Sequence, residues 1–406
     1  MRRLLWVSIA FPPKNDPECL QTGRYFKALS KSEDLEIEVI TSSNPTLFMP
    51  VDNSLTEYDN GYSRKIEIPI HETKLTNYIL RKLIPGGIDI PDSKFTFHWQ
   101  WREALKRLNA KPDVIYSRSN PLSSAFMAYK IKQSLKVPWI MHLSDPWVDS
   151  PLHTFTKKSY EFHRKWEETF FDSADAICLT SLRAVEFYKD KYSSYGQKIH
   201  WFPNVYDSDH LVPHSLDLSG KLRIVYTGGL SGARSPIHIL NASKNLIERN
   251  PDLAGQFEII FAGPMDRNSS AFFQNNTHPN VQHLGELPYE KSIDLIKTGH
   301  ILLNIDNPIQ DPKMAMYFPS KLLDYFRSGR KIMTLTTINS SSAKALEKLN
   351  AEIIMFNDET CIEQFLIKSL TAFKEKKTDY FVQKEIPVEY GSDANASRLH
   401  NLIKSL

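Results

Sequence analysis

Lys321 and Asp324 stand three residues apart in the stretch Phe318–Thr334, FPSKLLDYFRSGRKIMT. That spacing puts both side chains on neighbouring positions of one helix face. Pro319 suits a helix start, where its missing N–H would be unpaired in any case. Gly329 suits the left-handed residue that ends a helix, and KIMTLT after it reads as a short buried strand. A helix start favours anions through its free N–H groups and its dipole. An ammonium there and a carboxylate one turn on make a site for a nucleoside diphosphate, with Lys321 on phosphate and Asp324 on the ribose hydroxyls. The competing reading is a surface ion pair on an ordinary amphipathic helix, a common and weak arrangement.

A second group with phosphate chemistry is LRIVYTGGLSGARSP, in which a strand runs into Gly228, Gly229 and Gly232 and a helix follows from about Pro236. Glycine lets backbone N–H groups approach a phosphate closely, and Arg234 adds a guanidinium. The pattern is neither a P-loop nor G-x-G-x-x-G. In the first half, Arg118 ends the strand PDVIYSRSNP, and His142 and Asp145 lie in VPWIMHLSDPW. Arg118 matches phosphate geometry or is a surface arginine. Asp145 is a site carboxylate or the cap of a helix that Pro146 begins. His142 lies inside its strand, where a core histidine competes with a ligand contact.

The elements that must position these groups alternate between strand and helix, which implies βαβ units on parallel sheets. Ligands then sit beyond the carboxyl ends of the strands. LLWVSIA and LEIEVITS are the first strands, with a loop over Phe11–Thr22 and a helix over Gly23–Ser30 between them. Residues 44–93 read as irregular. FTFHWQWREALKRLN reads as one amphipathic helix, packed on the sheet by its tryptophans or lying on a membrane surface. The tail ANASRLHNLIKSL is helical. A length of 406 residues suits two domains of about 200 each.

The net charge is +3, and the basic stretch Lys94–Lys136 is weak for nucleic acid, which usually wants a more basic domain. Nine basic residues against two acidic ones between Lys94 and Lys136 suit an anionic acceptor or an anionic membrane surface. Cys19, Cys178 and Cys361 have no metal spacing and suggest no disulfide framework, so a reducing compartment and no metal are expected. MRRLLWVSIAFPPKND lacks a cleavage site and reads as a first strand. No run reaches the ~18 apolar residues of a membrane span. The expectation is a cytoplasmic protein, with peripheral contact at the inner face of the membrane.

P-S-K-L-x-(D/E)-Y-x-x-x-G, as it stands from Pro319 to Gly329, resembles the donor-site signature of retaining GT-B glycosyltransferases close to glycosyltransferase family 4. F-P-P … R with Arg24, P-W-I-x-x-x-x-D-P-W, A-D-A-x-x-x-x-S and the run VQHLGELPYEKSIDLIKTGHILLNID are similar to further segments of that family, in the same order. The resemblance implies two Rossmann-like domains facing each other across a cleft. Residues 1–205 would form the acceptor-binding domain, 206–220 a linker, 221–385 the nucleotide-sugar-binding domain and 386–406 a helix crossing back. It implies Asp145, Arg234 and Lys321 as catalytic residues. Gly228, Gly229, Arg234, Gly285, Glu286, Leu287, Ser320, Lys321 and Asp324 would bind the donor, and Arg118 and His142 the acceptor. Gly23 is the one glycine of the first loop available for close approach to a donor. The first position of the family's Glu-x7-Glu pattern falls on Met316, and the nearby Asp311 and Lys313 would face the sugar. The implied activity is sugar transfer from a nucleotide-sugar to a glycan or lipid-linked acceptor in surface polysaccharide biosynthesis, with no metal or other cofactor. A non-hydrolysing nucleotide-sugar epimerase and a non-catalytic sugar-nucleotide-binding scaffold remain open alternatives.

Overall fold

A computed structural model describes residues 1–46, 49–73, 91–151, 155–210, 216–230, 234–276, 278–311, 313–383 and 385–406. Gly232 and much of the segment 44–93 lie outside them. The chain divides into two compact units, one of Met1–Val205 with Glu389–Leu406, the other of Tyr206–Val388.

The first unit is a seven-stranded sheet in the order β3-β2-β1-β4-β5-β6-β7. Its strands are β1 (Arg2–Val7), β2 (Leu35–Ser42), β3 (Arg64–Ile68), β4 (Val114–Ser119), β5 (Trp139–Leu143), β6 (Ala176–Leu179) and β7 (Ile199–Trp201). The second unit has six strands in the order β10-β9-β8-β11-β12-β13. These are β8 (Leu222–Thr227), β9 (Phe257–Ala262), β10 (Val281–His283), β11 (Ile301–Ile305), β12 (Lys331–Thr336) and β13 (Ala351–Met355). Every pairing in both sheets is parallel. Helices cover both faces of such sheets, so the strands read as apolar runs; Leu4, Trp6, Ile140, Ile224 and Leu303 are all buried. Strand order reverses between β1 and β4 and between β8 and β11, and ligands of open α/β sheets bind at such reversals.

Two expectations are corrected here. The first helix spans Pro17–Leu29 and begins six residues before Gly23, because Asp16 caps it by accepting from the N–H groups of Glu18 and Cys19. The segment Asp-Pro-Glu is a cap, a proline at the first position and an acid in the first turn, the usual helix opening. Gly23 therefore lies inside a helix, where an added Cβ would stand 2.7 Å from Pro12 Cγ and 2.8 Å from Tyr58 Cβ. Its smallness serves packing. The second correction concerns FTFHWQWREALKRLN, which forms two short helices, Thr96–Trp99 and Trp101–Lys106. Phe97 and His98 face inward and Trp99 stands half exposed.

The helix Ser392–Ser405 buries Ala396, Leu399 and Ile403 in the apolar core of the first unit. Among the described residues no helix is long and apolar enough to cross a membrane.

Candidate functional site

β8 and β11 pair over two residues, Ile224 with Ile301 and Val225 with Leu302. Beyond them the carboxyl ends are not laddered together. Tyr325 spans the opening: its hydroxyl accepts from the Thr227 N–H at 3.0 Å and donates to the Leu303 carbonyl at 3.1 Å. Tyr325 belongs to the helix Lys321–Ser328, so this one hydroxyl fixes the helix to both strands. Gly329 ends the helix at φ +66° and β12 follows.

Lys321 opens that helix. Its Nζ is buried with no hydrogen-bond partner and lies 3.7 Å from the centre of the Tyr226 ring. The ion pair with Asp324 that a surface helix would make is therefore absent. Burial, then the charge of Arg234, holds the ammonium well below its ordinary pKa, with Asp306 pulling the other way. Arg234 bonds the Tyr226 hydroxyl, and its Nε is buried without a partner. The Tyr226 hydroxyl also donates to the Gly229 carbonyl at 2.9 Å. One aromatic ring thus organises both cations through its face and its hydroxyl.

The glycines explain how the cations reach this place. Gly228, at φ +124°, leaves room for the lysine, whose Cε and Nζ would lie 3.1 and 3.2 Å from an added Cβ. Gly263 follows β9 at φ +136°, where an added Cβ would meet the Gly228 carbonyl oxygen at 2.2 Å. Its N–H donates to the carbonyl of Gly285, at φ +75°, while the Gly228 N–H donates to Ala262. Three strand ends are stacked here as bare backbone. Gly229 lies beside Gly228, and Leu287 and the exposed Glu286 follow Gly285 on the loop before the helix Tyr289–Thr298. Asp324 accepts from the Tyr289 hydroxyl at 3.2 Å.

The helix start itself differs from the sequence expectation. The N–H groups of Leu322 and Leu323 bond the carbonyls of Pro319 and Ser320. Ser320 makes no side-chain cap. Positive charge at this site therefore comes chiefly from side chains. Met316 is buried. Asp311 accepts from the Lys313 N–H at 2.9 Å, a turn-capping contact, and both residues are exposed.

In the first unit Asp145 lies in the bend after β5, without a helix to cap, and accepts from Asn120 Nδ2 at 3.0 Å. Arg118 and His142 were expected at the acceptor. Both sit inside strands and are wholly buried. Arg118 pairs with Glu18 at 2.8 Å and donates to Asn204 at 2.6 Å. His142 lies 2.6 Å from the Tyr116 hydroxyl and 3.3 Å from the Arg118 guanidinium. Arg24 is also buried and donates to the Val205 carbonyl at 2.9 Å. Alternation along a strand cannot distinguish a side chain aimed at solvent from one aimed into a covered face, so the sequence alone did not show this burial.

Glu18 is the polar residue that sequence reasoning missed, since its helix was placed too late. It accepts from Ser144, the neighbour of Asp145, at 2.6 Å. Burial, against the attraction of Arg118, raises its pKa from 4.5 to about 7. The folded protein thus binds more protons than the unfolded chain across that window, and this residue makes stability fall as pH rises through it. Thermal unfolding of Glu18→Gln between pH 4.5 and 7 is expected to show a shallower decline than wild type; an identical slope would count against this protonation.

Among the described residues no group of three or more His, Cys, Asp or Glu is placed to hold a metal ion.

Residues 77–204 match the family described as a glycosyl transferase 4-like domain. No curated protein matches the sequence. Among solved structures the chain is similar to a glycosyltransferase from Rickettsia africae, at TM-score 0.66 and 10% identity, covering 100% of this chain and 98% of that one. It is also similar to HepE of Anabaena in complex with UDP-glucose, at TM-score 0.61 and 12% identity, with 100% of both chains covered. A Listeria monocytogenes chain described as a UDP-N-acetylglucosamine 2-epimerase aligns at TM-score 0.61 and 13% identity, over 99% of this chain and 96% of that one. The fold is therefore the GT-B fold. Together, the matched domain and this fold support a glycosyltransferase enzyme.

Proposed function

We propose that the protein is a retaining glycosyltransferase, moving a sugar from a nucleotide-sugar to a glycan or lipid-linked acceptor in surface polysaccharide biosynthesis. The observation that carries this reading is the unpartnered, buried Lys321 ammonium beside Arg234 at the strand-order reversal. An isolated buried cation is unfavourable, and a diphosphate supplies the charge and the acceptors that both groups lack. Backbone of Gly228, Gly229, Gly285 and Leu287 would line the nucleotide, with Ser320 and Glu286 at its margin, and Asp324 would accept from the ribose hydroxyls.

In this reading the bond from the sugar's anomeric carbon to the diphosphate oxygen breaks while a bond to an acceptor hydroxyl oxygen forms. Lys321 and Arg234 stabilise the charge gathering on the departing diphosphate, the largest task in such a transfer. The acceptor attacks from the leaving-group side, its proton passing to the departing phosphate oxygen, and Asp145 orients the acceptor. A lipid-linked acceptor would bring the protein to a membrane face, and the exposed Trp99 and Arg102 would then make the peripheral contact.

Titration calorimetry with UDP, GDP and ADP tests the donor site. One nucleotide is expected to bind, and Asp324→Asn to weaken it by about 10-fold, the effect of a lost hydrogen bond to a charged group, with an unchanged unfolding midpoint. Equal affinity in the variant would remove Asp324 from the ribose. Because an epimerase-described chain shares the fold, the nucleotide-sugar is also incubated without acceptor. Isomerisation of the donor alone would replace the transferase reading.

A further inference from the structure

Asp306 follows β11 directly and so stands at the same strand-order reversal as Gly228 and Gly229. The residue is 9% exposed, nearly but not wholly enclosed. Its oxygens accept from Asn304 Nδ2 at 3.0 Å and from Thr336 Oγ1 at 2.6 Å, both neutral donors. Thr336 Oγ1 in turn lies 2.8 Å from Ser340 Oγ, whose residue caps the helix Ser341–Leu346, so the carboxylate is held in a fixed orientation. Among the described residues it has no ion-pair partner, although Lys321 and Tyr226 both feel its charge.

Two cations and one carboxylate thus share a neighbourhood without closing on one another. A carboxylate offers about four lone-pair sites, and two are occupied. A ligand that satisfies all three side chains carries negative charge at one end and hydroxyl donors at the other. We propose that Asp306 accepts hydrogen bonds from hydroxyl groups of the sugar moiety of the nucleotide-sugar whose diphosphate lies on Lys321 and Arg234. This rests on the donor reading above. It places the sugar-side carboxylate at the end of β11, a position the helix motif around Lys321 does not contain, while Met316 stays in the core.

The test compares affinities for a nucleoside diphosphate and for its sugar conjugate. UDP, GDP and ADP are titrated first, and then the hexose conjugates of whichever binds, such as UDP-glucose or GDP-mannose. Asp306→Asn removes a negative charge near the diphosphate and removes a strong acceptor for hydroxyls. The diphosphate is expected to bind as well as before or a few-fold tighter, while the sugar conjugate weakens by about 10-fold or more. A merely structural role would weaken both alike, and that result, or no change in either, overturns the proposal. Should Asp306→Asn not fold, Asp306→Glu keeps the charge and displaces the carboxylate. It is then expected to lose affinity for the conjugate only, and equal retention of both ligands overturns the proposal. Wild type binding none of the three diphosphates defeats the donor reading itself, a result distinct from the loss of the sugar contact alone.

Discussion

Lys321→Ala is expected to leave a folded protein whose sugar transfer is lower by about 10²-fold, the size of effect seen when one preorganised oxyanion donor is removed. Nucleotide affinity is expected to fall with it. The same residue should show an opposite effect on stability. An unpartnered buried ammonium disfavours the folded state, so Lys321→Met, which keeps the volume and removes the charge, is expected to raise the unfolding midpoint. The folded-state pKa is depressed, so the unfolded chain binds the proton more readily. Lysine therefore makes wild-type stability rise with pH towards 10.5, and the methionine variant should lack that rise. Ligand binding runs the linkage the other way. A diphosphate restores the charged form, so binding takes up a proton and weakens as pH rises from the depressed value towards 10.5. Calorimetry in two buffers of different ionisation enthalpy reads the uptake directly. Unchanged turnover, or heats that do not depend on the buffer, would take Lys321 out of the site.

Arg118→Met is expected to destabilise the protein by about 3–5 kcal/mol, the loss that follows breaking a buried ion pair from one side. Three polar groups each lose one partner at once: Glu18, Asn204 and the His142 ring. The loss should depend on pH. With Arg118 present Glu18 ionises at about 7; without it the carboxyl is pushed higher still, so as pH rises wild type gains an ion pair that the variant lacks. Urea unfolding at pH 6 and pH 8 is expected to show the larger loss at the higher pH. Arg118→Met with Glu18→Gln should recover part of the deficit, as coupled neighbours do in a double-mutant cycle. A small, pH-independent loss with strict additivity would mean that Arg118 and Glu18 do not act as a pair.

Local chemistry made part of this molecule legible in its sequence. The helix Lys321–Ser328, its glycine stop and the strand after it follow from residues that are neighbours in the chain. Alternating strands and helices announced parallel sheets. What stayed hidden depends on partners distant in sequence. Lys321 could not be known to be unpaired until Tyr226, ninety-five positions earlier, was seen beneath it. Arg118 read as a cleft or surface arginine at a strand end because burial within a covered sheet leaves no mark on a single strand. Glu18 was missed for a different reason: Asp16-Pro17-Glu18 was read as loop punctuation although the same residues open a helix. Asp306 carried no motif, and only the reversal of strand order gives it a setting.

The stack of Gly228, Gly263 and Gly285 sets a boundary on how the second unit can be altered. Gly263 admits no side chain without displacing the Gly228 carbonyl, and all three hold φ values that other residues resist. In a saturation library screened for a changed donor, these positions should return almost nothing but the parent residue. New preference would have to be written into the side chains around them, at Glu286, Ser320 and Asp324. The glycine floor would then act as a common socket for exchangeable recognition parts.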